Sequence, residues 1–506
     1  MFTSLRARLR MASSAFCDRF PRTASVLGFA KRRRKPLTAL FVLTMHTIGF
    51  VQSISAVMET RTPQGAIAWA ISLNTFPYIA VPAYAVFGDN GFESYISTRT
   101  AGLAETRPFA EQLIKNIDES NVSPDETTDL MTTVSRISSL PVTSGNRPEL
   151  LVDGKSTFRS IFDAIDQAED YILVQFYIIR TDGTGIDLKD RLIKKAREGV
   201  KVYLLYDDYG SLGLEGEFTR DLQEAGVRVQ SFMNLGGEAN RFQLNFRNHR
   251  KIVVVDGKVA FVGGHNVGDE YLGKHPSLTP WRDSHLRISG PVVASVQIPF
   301  VEDWHWATGE LLDNLKWDIE TRPGNAEAVC IPTGPADPME TCSMFFQAAI
   351  HAAKNRVWIA TPYFVPDEAV VMALQLAARR GVEVKVLIPE LSDSKLVYMS
   401  SFSYLKDLEQ CGVEVWRYQK GFLHQKVMMI DDEFSMIGSA NLDNRSFRLN
   451  FEAMIGVNDP IFASEVKAMM QTDFDNSIQA KSGDLASRDF KFRLGVKVAR
   501  LLAPIQ

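Results

Sequence analysis

The chain has 506 residues, of which 45% are apolar and 23% charged, a composition typical of a globular enzyme of two or three domains. Its net charge of −4 is uneven, because residues 1–36 hold ten Lys and Arg against one acid, which leaves 46 basic and 59 acidic residues elsewhere. The excess of acidic residues beyond residue 36 argues against broad nucleic-acid binding. The four scattered cysteines suggest neither a zinc site nor a disulfide framework.

The basic extension, residues 1–36, is followed by two charge-free stretches, residues 37–58 and 65–88. About 20 apolar residues suffice to cross the hydrocarbon core of a bilayer. We therefore predict two transmembrane helices within residues 37–91, the second kinked by prolines. A buried core hairpin, a cleaved signal peptide and a transit peptide are the alternatives.

The cluster KRRRK at residues 31–35 predicts a cytoplasmic flank for the first span. Two spans return the chain to the same side of the membrane. We therefore expect a multi-pass protein of the cell (inner) membrane, with its large C-terminal body in the cytoplasm. The basic extension also suits an anionic membrane surface or a targeting role.

The rest of the chain shows an internal repeat. Residues 92–145 are polar and are predicted to form a linker or membrane-proximal region. Beyond them, strand-like and helical segments alternate, which is typical of an α/β layered domain. AREGVKVYLLYDD at 196–208 returns as ARRGVEVKVLIPE at 378–390. A duplication explains the likeness, and we predict two α/β halves, residues 146–322 and 323–506, packed about an approximate twofold.

Each half carries one polar pattern, H-x-K-x4-D-x6-G-[GS]-x-N. Residues 248–266 read NHRKIVVVDGKVAFVGGHN and residues 423–441 read LHQKVMMIDDEFSMIGSAN. The Asp-Gly pair in the first copy is a hairpin turn signal, and side chains two apart share one face of a strand. One hairpin per half thus gathers polar groups at one edge. These groups are His249, Lys251 and Asn266 in the first copy and His424, Lys426 and Asn441 in the second.

Two such hairpins facing each other would suit chemistry on a phosphodiester. Lysine and amide donors can hold the phosphate oxygens, while one imidazole attacks phosphorus and the other protonates the leaving oxygen. This scheme needs no metal, and we predict neither a metal nor a cofactor. His265 and His285 lie near the motif, and a solvated or packing role is favoured for them over metal ligation, because Cys and carboxylate ligands are missing.

The duplicated pattern resembles the phospholipase D superfamily, and WRDSHLRISGP at 281–291 and TPYFVPD at 361–367 resemble its bacterial cardiolipin synthase branch. The resemblance covers roughly residues 35–506. It implies transfer of a phosphatidyl group from one phosphatidylglycerol to another, with release of glycerol and a phosphohistidine intermediate. Phosphatidylglycerol, other anionic phospholipids and the bilayer are the partners it implies.

The resemblance also implies roles for individual residues. Those it marks as catalytic are His249, Lys251, Asp256, His424, Lys426 and Asp431, and those it marks as phosphate-binding are Asn266 and Asn441. It favours His249 as the nucleophile and His424 as the acid and base. Since both Asp residues occupy hairpin turns, we expect them to brace the loop rather than touch substrate.

Each histidine should also need an orienting carboxylate. We expect Asp283 and Glu452 to fill this role, with a surface salt bridge to Arg282 or Arg287 as the alternative for Asp283. Near the end of the chain, FKFRLGVKVARLLAPIQ predicts an amphipathic basic helix that either lies on an anionic bilayer or docks on the domain.

Four functions stay open at this point. A transferase acting on phosphatidylglycerol leads. A hydrolase that produces phosphatidic acid and a transferase with another acceptor alcohol differ from it only in what attacks the intermediate. A non-catalytic membrane adaptor is the alternative of another class. The charge and the predicted anchor disfavour a nuclease.

Overall fold

The computed structural model describes residues 21–60, 62–88, 122–123, 126–232, 245–312, 314–317 and 321–506, with side chains from residue 36 onward. Most of the basic extension, residues 1–20, lies outside the described residues. The chain forms two compact units. Unit 1 comprises residues 1–91 and 242–245, and unit 2 comprises residues 92–241 and 246–506.

Unit 1 is helical. Its helices are α1 (Pro21–Glu59), α2 (Pro63–Thr75) and α3 (Pro77–Phe87). By length and composition, Pro36–Glu59 is long and apolar enough to cross a membrane. The second predicted span is not one continuous helix, because α2 ends before Pro77. Proline lacks an amide hydrogen and clashes with the preceding turn, so Pro77 instead begins α3.

The helices α2 and α3 pack back on α1. Gly49 allows this approach, since a Cβ there would lie 2.3 Å from the Leu73 carbonyl oxygen. Trp69 and Tyr84 add an edge-to-face contact with ring centroids 5.1 Å apart. Most other large apolar side chains of the unit are exposed, among them Leu40, Leu43, Phe50, Val51, Val57, Ile71, Phe76 and Ile79. Unit 1 is therefore a short helical hairpin with an apolar exterior.

Unit 2 confirms the predicted α/β class. The strands of its first half are β1 (Thr143–Val152), β2 (Tyr171–Phe176), β3 (Lys201–Tyr206), β4 (Arg228–Ser231), β5 (Arg247–Asn248), β6 (Ile252–Val255), β7 (Val259–Gly263), β8 (Trp281–Arg282) and β9 (Ser284–Ser289). Those of its second half are β10 (Ala326–Thr333), β11 (Arg356–Ala360), β12 (Phe364–Val365), β13 (Glu383–Pro389), β14 (Glu414–Tyr418), β15 (Phe422–Leu423), β16 (Val427–Ile430), β17 (Phe434–Gly438), β18 (Leu442–Asp443), β19 (Asn450–Asn458) and β20 (Ser477–Ala480).

Helices cover these strands. They are α4 (Asp129–Ser138), α5 (Asp153–Asp166), α6 (Gly183–Arg197), α7 (Glu217–Glu224), α8 (Val292–Thr308), α9 (Thr341–Ala352), α10 (Glu368–Arg379), α11 (Lys395–Ser401), α12 (Leu405–Glu409), α13 (Asn444–Arg448), α14 (Pro460–Asp475), α15 (Ser482–Ala486) and α16 (Phe490–Leu501). Although α4 falls in the predicted linker, its Leu130, Met131 and Val134 are buried in the core of the second half.

Both halves have one strand order. Outward from the centre, the first half runs β1-β9-β7-β6-β2-β3-β4 and the second runs β10-β19-β17-β16-β11-β13-β14, with β20 at its edge. The central strands β1 and β10 pair antiparallel. The duplicated sequence thus folds into two equivalent halves that share one sheet, and a position in one half has a counterpart in the other.

The last helix, α16, docks on the second half and exposes one side. Val496 and Ala499 are buried, and α16 contacts α11. Its outer face carries exposed Phe490, Leu494, Val498 and Leu501. The helix is therefore docked on the domain, as one alternative predicted, and it presents an apolar stripe; contact with a bilayer stays a prediction.

Candidate active site

The two motif hairpins meet where the halves exchange short strands. The hairpin β6–β7 is preceded by β5, which pairs with β19 of the other half, and the hairpin β16–β17 is preceded by β15, which pairs with β8. His249 and His424 directly follow β5 and β15. Both histidines therefore lie at the junction, where they line one cavity of about 360 Å³.

His249 is held by a carboxylate of the second half. Its Nδ1 lies 3.0 and 2.9 Å from the two carboxylate oxygens of Glu452. Glu452 also accepts hydrogen bonds from the hydroxyls of Ser439 (2.6 Å) and Ser446 (2.8 Å) and from the Asn450 amide (3.2 Å). Four donors thus fix the carboxylate, which in turn fixes the imidazole.

The charges of this pair follow from its burial. Burial lowers the pKa of His249 to about 4. Burial alone would raise the pKa of Glu452, but the neighbouring His249 and Lys251 outweigh it and lower that pKa. At neutral pH the pair is a carboxylate and a neutral imidazole whose Nδ1–H faces Glu452. The lone pair is therefore on Nε2.

His424 is held in the same way by the first half. Its Nδ1 lies 2.8 Å from Oδ2 of Asp283, whose Oδ1 accepts the backbone N–H of Ser284 at 2.8 Å. Burial raises the pKa of Asp283, and burial together with Lys426 lowers the pKa of His424 well below its usual value. Each histidine is thus paired with the carboxylate of the opposite half, which sequence spacing does not reveal.

The salt-bridge alternative for Asp283 does not occur. Arg282 bonds Asp473 and Asp153 instead, and Arg287 bonds Glu149. Asp283 itself is fully buried.

Both motif lysines are buried beside their histidines. Lys251 Nζ donates to the His249 carbonyl and Lys426 Nζ donates to the His424 carbonyl, each at 2.6 Å. Lys426 Nζ also lies 3.1 Å from His424 Nε2. Burial lowers the pKa of Lys426 to about 8 and that of Lys251 well below its usual value. An anion in the cavity would stabilise both ammonium groups.

The motif asparagines line the cavity in different settings. Asn266 accepts the Ile178 N–H at 3.1 Å and donates to the Tyr271 hydroxyl at 3.0 Å. Asn441 donates its backbone N–H to the Ser446 hydroxyl at 3.0 Å. Both amides therefore share a cavity with the two imidazoles.

Asp256 and Asp431, which the motif places in the catalytic set, do not line this cavity. Each has φ of 54° in its hairpin turn. Asp256 accepts the backbone N–H groups of residues 169–171, at 2.7 to 3.0 Å. Asp431 accepts those of residues 354–356, the shortest at 2.7 Å. The two carboxylates tie the turns to the starts of β2 and β11, away from the residues that line the cavity.

The small motif residues make room for the carboxylates. A Cβ at Gly264 would lie 2.1 Å from Oδ1 of Asp283. Ser439 occupies the equivalent position of the second half, and its hydroxyl donates to Glu452. The motif therefore has Gly264 where the first copy faces Asp283, and Ser439 where the second copy faces Glu452.

His265 and His285 pack against each other, with ring centroids 5.7 Å apart. Both are fully buried, and burial lowers both pKa values to about 3. In the part of the chain that the structure describes, no three His, Cys, Asp or Glu side chains are grouped so as to hold a metal ion.

Sequence reasoning missed several residues of the cavity. Tyr177 lies edge-on to His249 at 5.0 Å, and Tyr363 does the same to His424 at 6.4 Å. Arg247 and Arg445 also line the cavity. Signals existed, because Tyr363 falls in TPYFVPD and Arg247 stands two residues before His249, which puts it on the same strand face.

Comparisons with known proteins agree with this geometry. The family described as cardiolipin synthase, PLD-like domain, matches residues 161–278 and 346–474, which contain the two motifs. Cardiolipin synthase A of Pseudomonas putida (strain GB-1) is 46% identical over 472 residues, 91% of this chain and 97% of its own length. That of Pseudomonas fluorescens (strain SBW25) is 45% identical over 93% of this chain and 98% of its own.

Among solved structures, phosphatidylserine synthase of Haemophilus influenzae Rd KW20 superposes on 75% of this chain and all of its own. The TM-score is 0.58 at 15% identity, so this likeness concerns the fold. Because the sequence identity extends over almost the whole length and the family model matches the segments with both motifs, the chain belongs to the cardiolipin synthase family of phospholipase D-like proteins.

Proposed function

We propose that this protein is a phosphatidyltransferase that joins two phosphatidylglycerol molecules into cardiolipin and releases glycerol. One observation carries the proposal. Two imidazoles, each oriented through Nδ1 by the carboxylate of the opposite half, share a cavity with two asparagines, and two buried lysines lie beside them. The Pseudomonas relatives, which are named cardiolipin synthase A, supply the substrate class.

In the first step, Nε2 of His249 attacks phosphorus of one phosphatidylglycerol. The bond from phosphorus to the glycerol oxygen breaks, and His424, which carries a proton on Nε2 once the substrate phosphate is bound, gives that oxygen its proton, so that glycerol leaves and a phosphatidyl-histidine remains. Lys251 and Lys426 stabilise the additional negative charge on the phosphate oxygens. In the second step, His424 takes the proton of a hydroxyl on another phosphatidylglycerol while that oxygen attacks phosphorus. The phosphorus–nitrogen bond breaks and His249 is regenerated.

The assignment of His249 as nucleophile rests on the difference between the two pairs. Glu452 is held ionised by its neighbours, so the Glu452–His249 pair presents an unprotonated Nε2. Burial raises the pKa of Asp283, so the Asp283–His424 pair is the better place to keep a transferable proton. Burial lowers the pKa of His424, and a bound phosphate anion would raise that pKa towards the value that an acid needs.

The substrates are lipids, and we propose that two helical spans anchor the protein. Support comes from the exposed apolar side chains of unit 1 and from Gly49, since close small-residue packing is typical of membrane helices. Here α2 and α3 together form the second, broken span, and unit 2 lies on the cytoplasmic side. Cysteine labelling tests this topology: in a background without Cys17 and Cys411, T62C should react only from outside the cell and S487C only after permeabilisation. Labelling of both from one side would contradict two spans.

The stripe of α16 supports a second membrane contact. Phe490, Leu494, Val498 and Leu501 are exposed beside Lys491 and Lys497 on a docked helix, which suits the surface of an anionic bilayer. L494E with V498E should reduce binding to phosphatidylglycerol vesicles, while turnover of detergent-solubilised lipid stays unchanged.

The function is tested by giving the purified protein vesicles of phosphatidylglycerol alone and following lipids by mass spectrometry. Cardiolipin with an equal amount of free glycerol is expected. Phosphatidic acid in place of cardiolipin would identify a hydrolase and overturn the proposal. H249N, which keeps an amide in place of the imidazole, should yield neither product.

A further inference from the structure

The two sides of the cavity differ although the halves that build them are equivalent. On one side β5 pairs with β19, which places Arg247 opposite Asn450. On the other side β15 pairs with β8, which places Phe422 opposite Trp281. Arg247 and Phe422 each stand two residues before a motif histidine. The same position is therefore cationic beside His249 and aromatic beside His424.

A second position differs in the same sense. The residue four positions after the motif asparagine is Arg445 in the second half and Glu270 in the first half. Both residues line the cavity. Glu270 lies 3.5 Å from Arg180, so the two charges on its side compensate each other. On the other side, Arg445 joins Arg247.

The two arginines form a cationic side held in place by the fold. The Arg445 guanidinium donates to the Ile505 carbonyl at 3.3 Å, and the Arg247 guanidinium lies 4.2 Å from the Tyr209 ring centroid. Burial lowers the pKa of Arg445, the neighbouring Asp443 carboxylate opposes that shift, and the charge of Arg247 adds to it. Asp443 also lines this side, but its carboxylate caps α13 by accepting the Ser446 N–H at 2.7 Å.

The opposite side is aromatic and apolar apart from the paired charges of Arg180 and Glu270. Tyr271, Leu278 and Trp281 line it, and Phe422 packs edge-on against Trp281 with centroids 4.8 Å apart. The cavity is thus divided into a cationic side that suits an anionic head group and an aromatic side that suits the ester and acyl part of a lipid. A single phosphodiester held between the histidines does not require this division.

We propose that Arg247 and Arg445 bind the phosphodiester of the acceptor phosphatidylglycerol, and so favour a lipid acceptor over water. This rests on the proposed function, in which the product carries two phosphates joined through one glycerol. While one phosphorus is bonded to His249, the second phosphate needs a cationic site of its own within reach. Two guanidinium groups match its oxygens. Water has no phosphate and gains nothing from the pair.

The test compares two acceptors that share the first step. R247Q and R445Q are assayed for cardiolipin formation from phosphatidylglycerol vesicles, and for exchange of labelled free glycerol into phosphatidylglycerol. Exchange uses the same phosphohistidine but an acceptor without phosphate. We expect cardiolipin formation to fall at least about tenfold in each variant, since charged hydrogen bonds are lost. Exchange should change by less than about twofold, and phosphatidic acid should rise.

R180Q is the matched control, because Arg180 lines the same cavity on the opposite side, beside Glu270. It should keep cardiolipin formation within about twofold of the starting protein. The proposal is overturned if transfer and exchange fall in parallel in R247Q and R445Q, if neither falls, or if R180Q loses transfer equally. Failure of the proposed function would show separately, as a protein with native Arg247 and Arg445 that exchanges glycerol but makes no cardiolipin.

Discussion

The two histidine–carboxylate pairs share one geometry but not one setting. Glu452 accepts hydrogen bonds from His249, two serines and an asparagine, whereas Asp283 accepts them from His424 and one backbone amide. The pKa of Glu452 is lowered and that of Asp283 is raised. The duplicated halves thus hold the same kind of pair in different surroundings, and on this difference we propose His249 for attack and His424 for proton transfer.

The crossed pairing makes the site a joint property of both halves. Neither half holds a histidine together with its own carboxylate, so an isolated half has no complete pair. The site residues then act as a unit, and losses from single changes should not multiply.

The largest effect is expected from the histidines. H249N and H424N should each lower the rate of cardiolipin formation by about 10⁴-fold or more. The rate of the double variant should be at most about tenfold lower than that of either single variant. Initial rates with phosphatidylglycerol vesicles measure this. If the fold-loss of the double variant equals the product of the two single fold-losses, the histidines act independently, which would contradict a shared site.

The carboxylates come next, and they separate the two pairs. E452Q and D283N should each lower kcat by about 10²- to 10⁴-fold, because the Nδ1–H of the histidine loses its charged acceptor. E452Q should also lower the free energy of unfolding by about 2 kcal/mol, since an amide cannot accept from all four donors. D283N should cost clearly less stability. Urea unfolding of both proteins checks the contrast, and equal destabilisation would refute it.

Changes to the motif aspartates should lower stability more than they lower activity, the reverse of the effect of changing the carboxylates. D256A and D431A each leave backbone amides without their acceptor and should lower the free energy of unfolding by about 2–3 kcal/mol. In the folded fraction, kcat should stay within about fivefold, because neither carboxylate reaches the cavity. A loss of kcat near that of H249N, with unchanged stability, would return these residues to the catalytic set.

The smallest effect concerns acid stability and also separates the halves. His265 and His285 have pKa values of about 3 when folded against an ordinary 6.5, while Ala440 and Met454 fill the equivalent places in the second half. Above pH 6.5 neither folded nor unfolded chain binds these protons. As pH falls from 6.5 towards 3, the unfolded chain binds them first, so stability declines by about 1.4 kcal/mol per pH unit for each histidine.

In H265A and in H285M, one histidine fewer takes up a proton on unfolding. The stability of each variant should therefore decline less steeply as pH falls. The measurement is the urea midpoint between pH 7 and pH 5, with L494A as a surface control that leaves the slope unchanged. An unaltered slope in both variants would mean that each histidine binds its proton equally in the folded and the unfolded chain, and would contradict the lowered pKa values.

The sequence predicted the α/β class, the duplication and the motif residues that gather at the cavity, because a fixed polar spacing in two copies reflects a local hairpin. The bracing role proposed for Asp256 and Asp431 agrees with where their carboxylates lie. What the sequence did not predict depends on contacts between the halves. The partner of each histidine and the contrast between Arg247 and Phe422 arise from strands exchanged across the junction. The break at Pro77 depended on whether proline kinks or ends a helix, which composition does not decide.

The central claim is one site with His249 as its nucleophile, and the covalent intermediate tests it most directly. H249N and H424N are each incubated with phosphatidylglycerol, quenched, and digested for mass spectrometry of histidine-linked phosphatidyl adducts. In H424N an adduct should be found on the peptide that contains His249; it forms slowly because the acid for the leaving glycerol is missing, and it persists because the base that activates the acceptor is missing too. H249N should carry no adduct. An adduct on His424 in H249N, with none in H424N, would contradict the account.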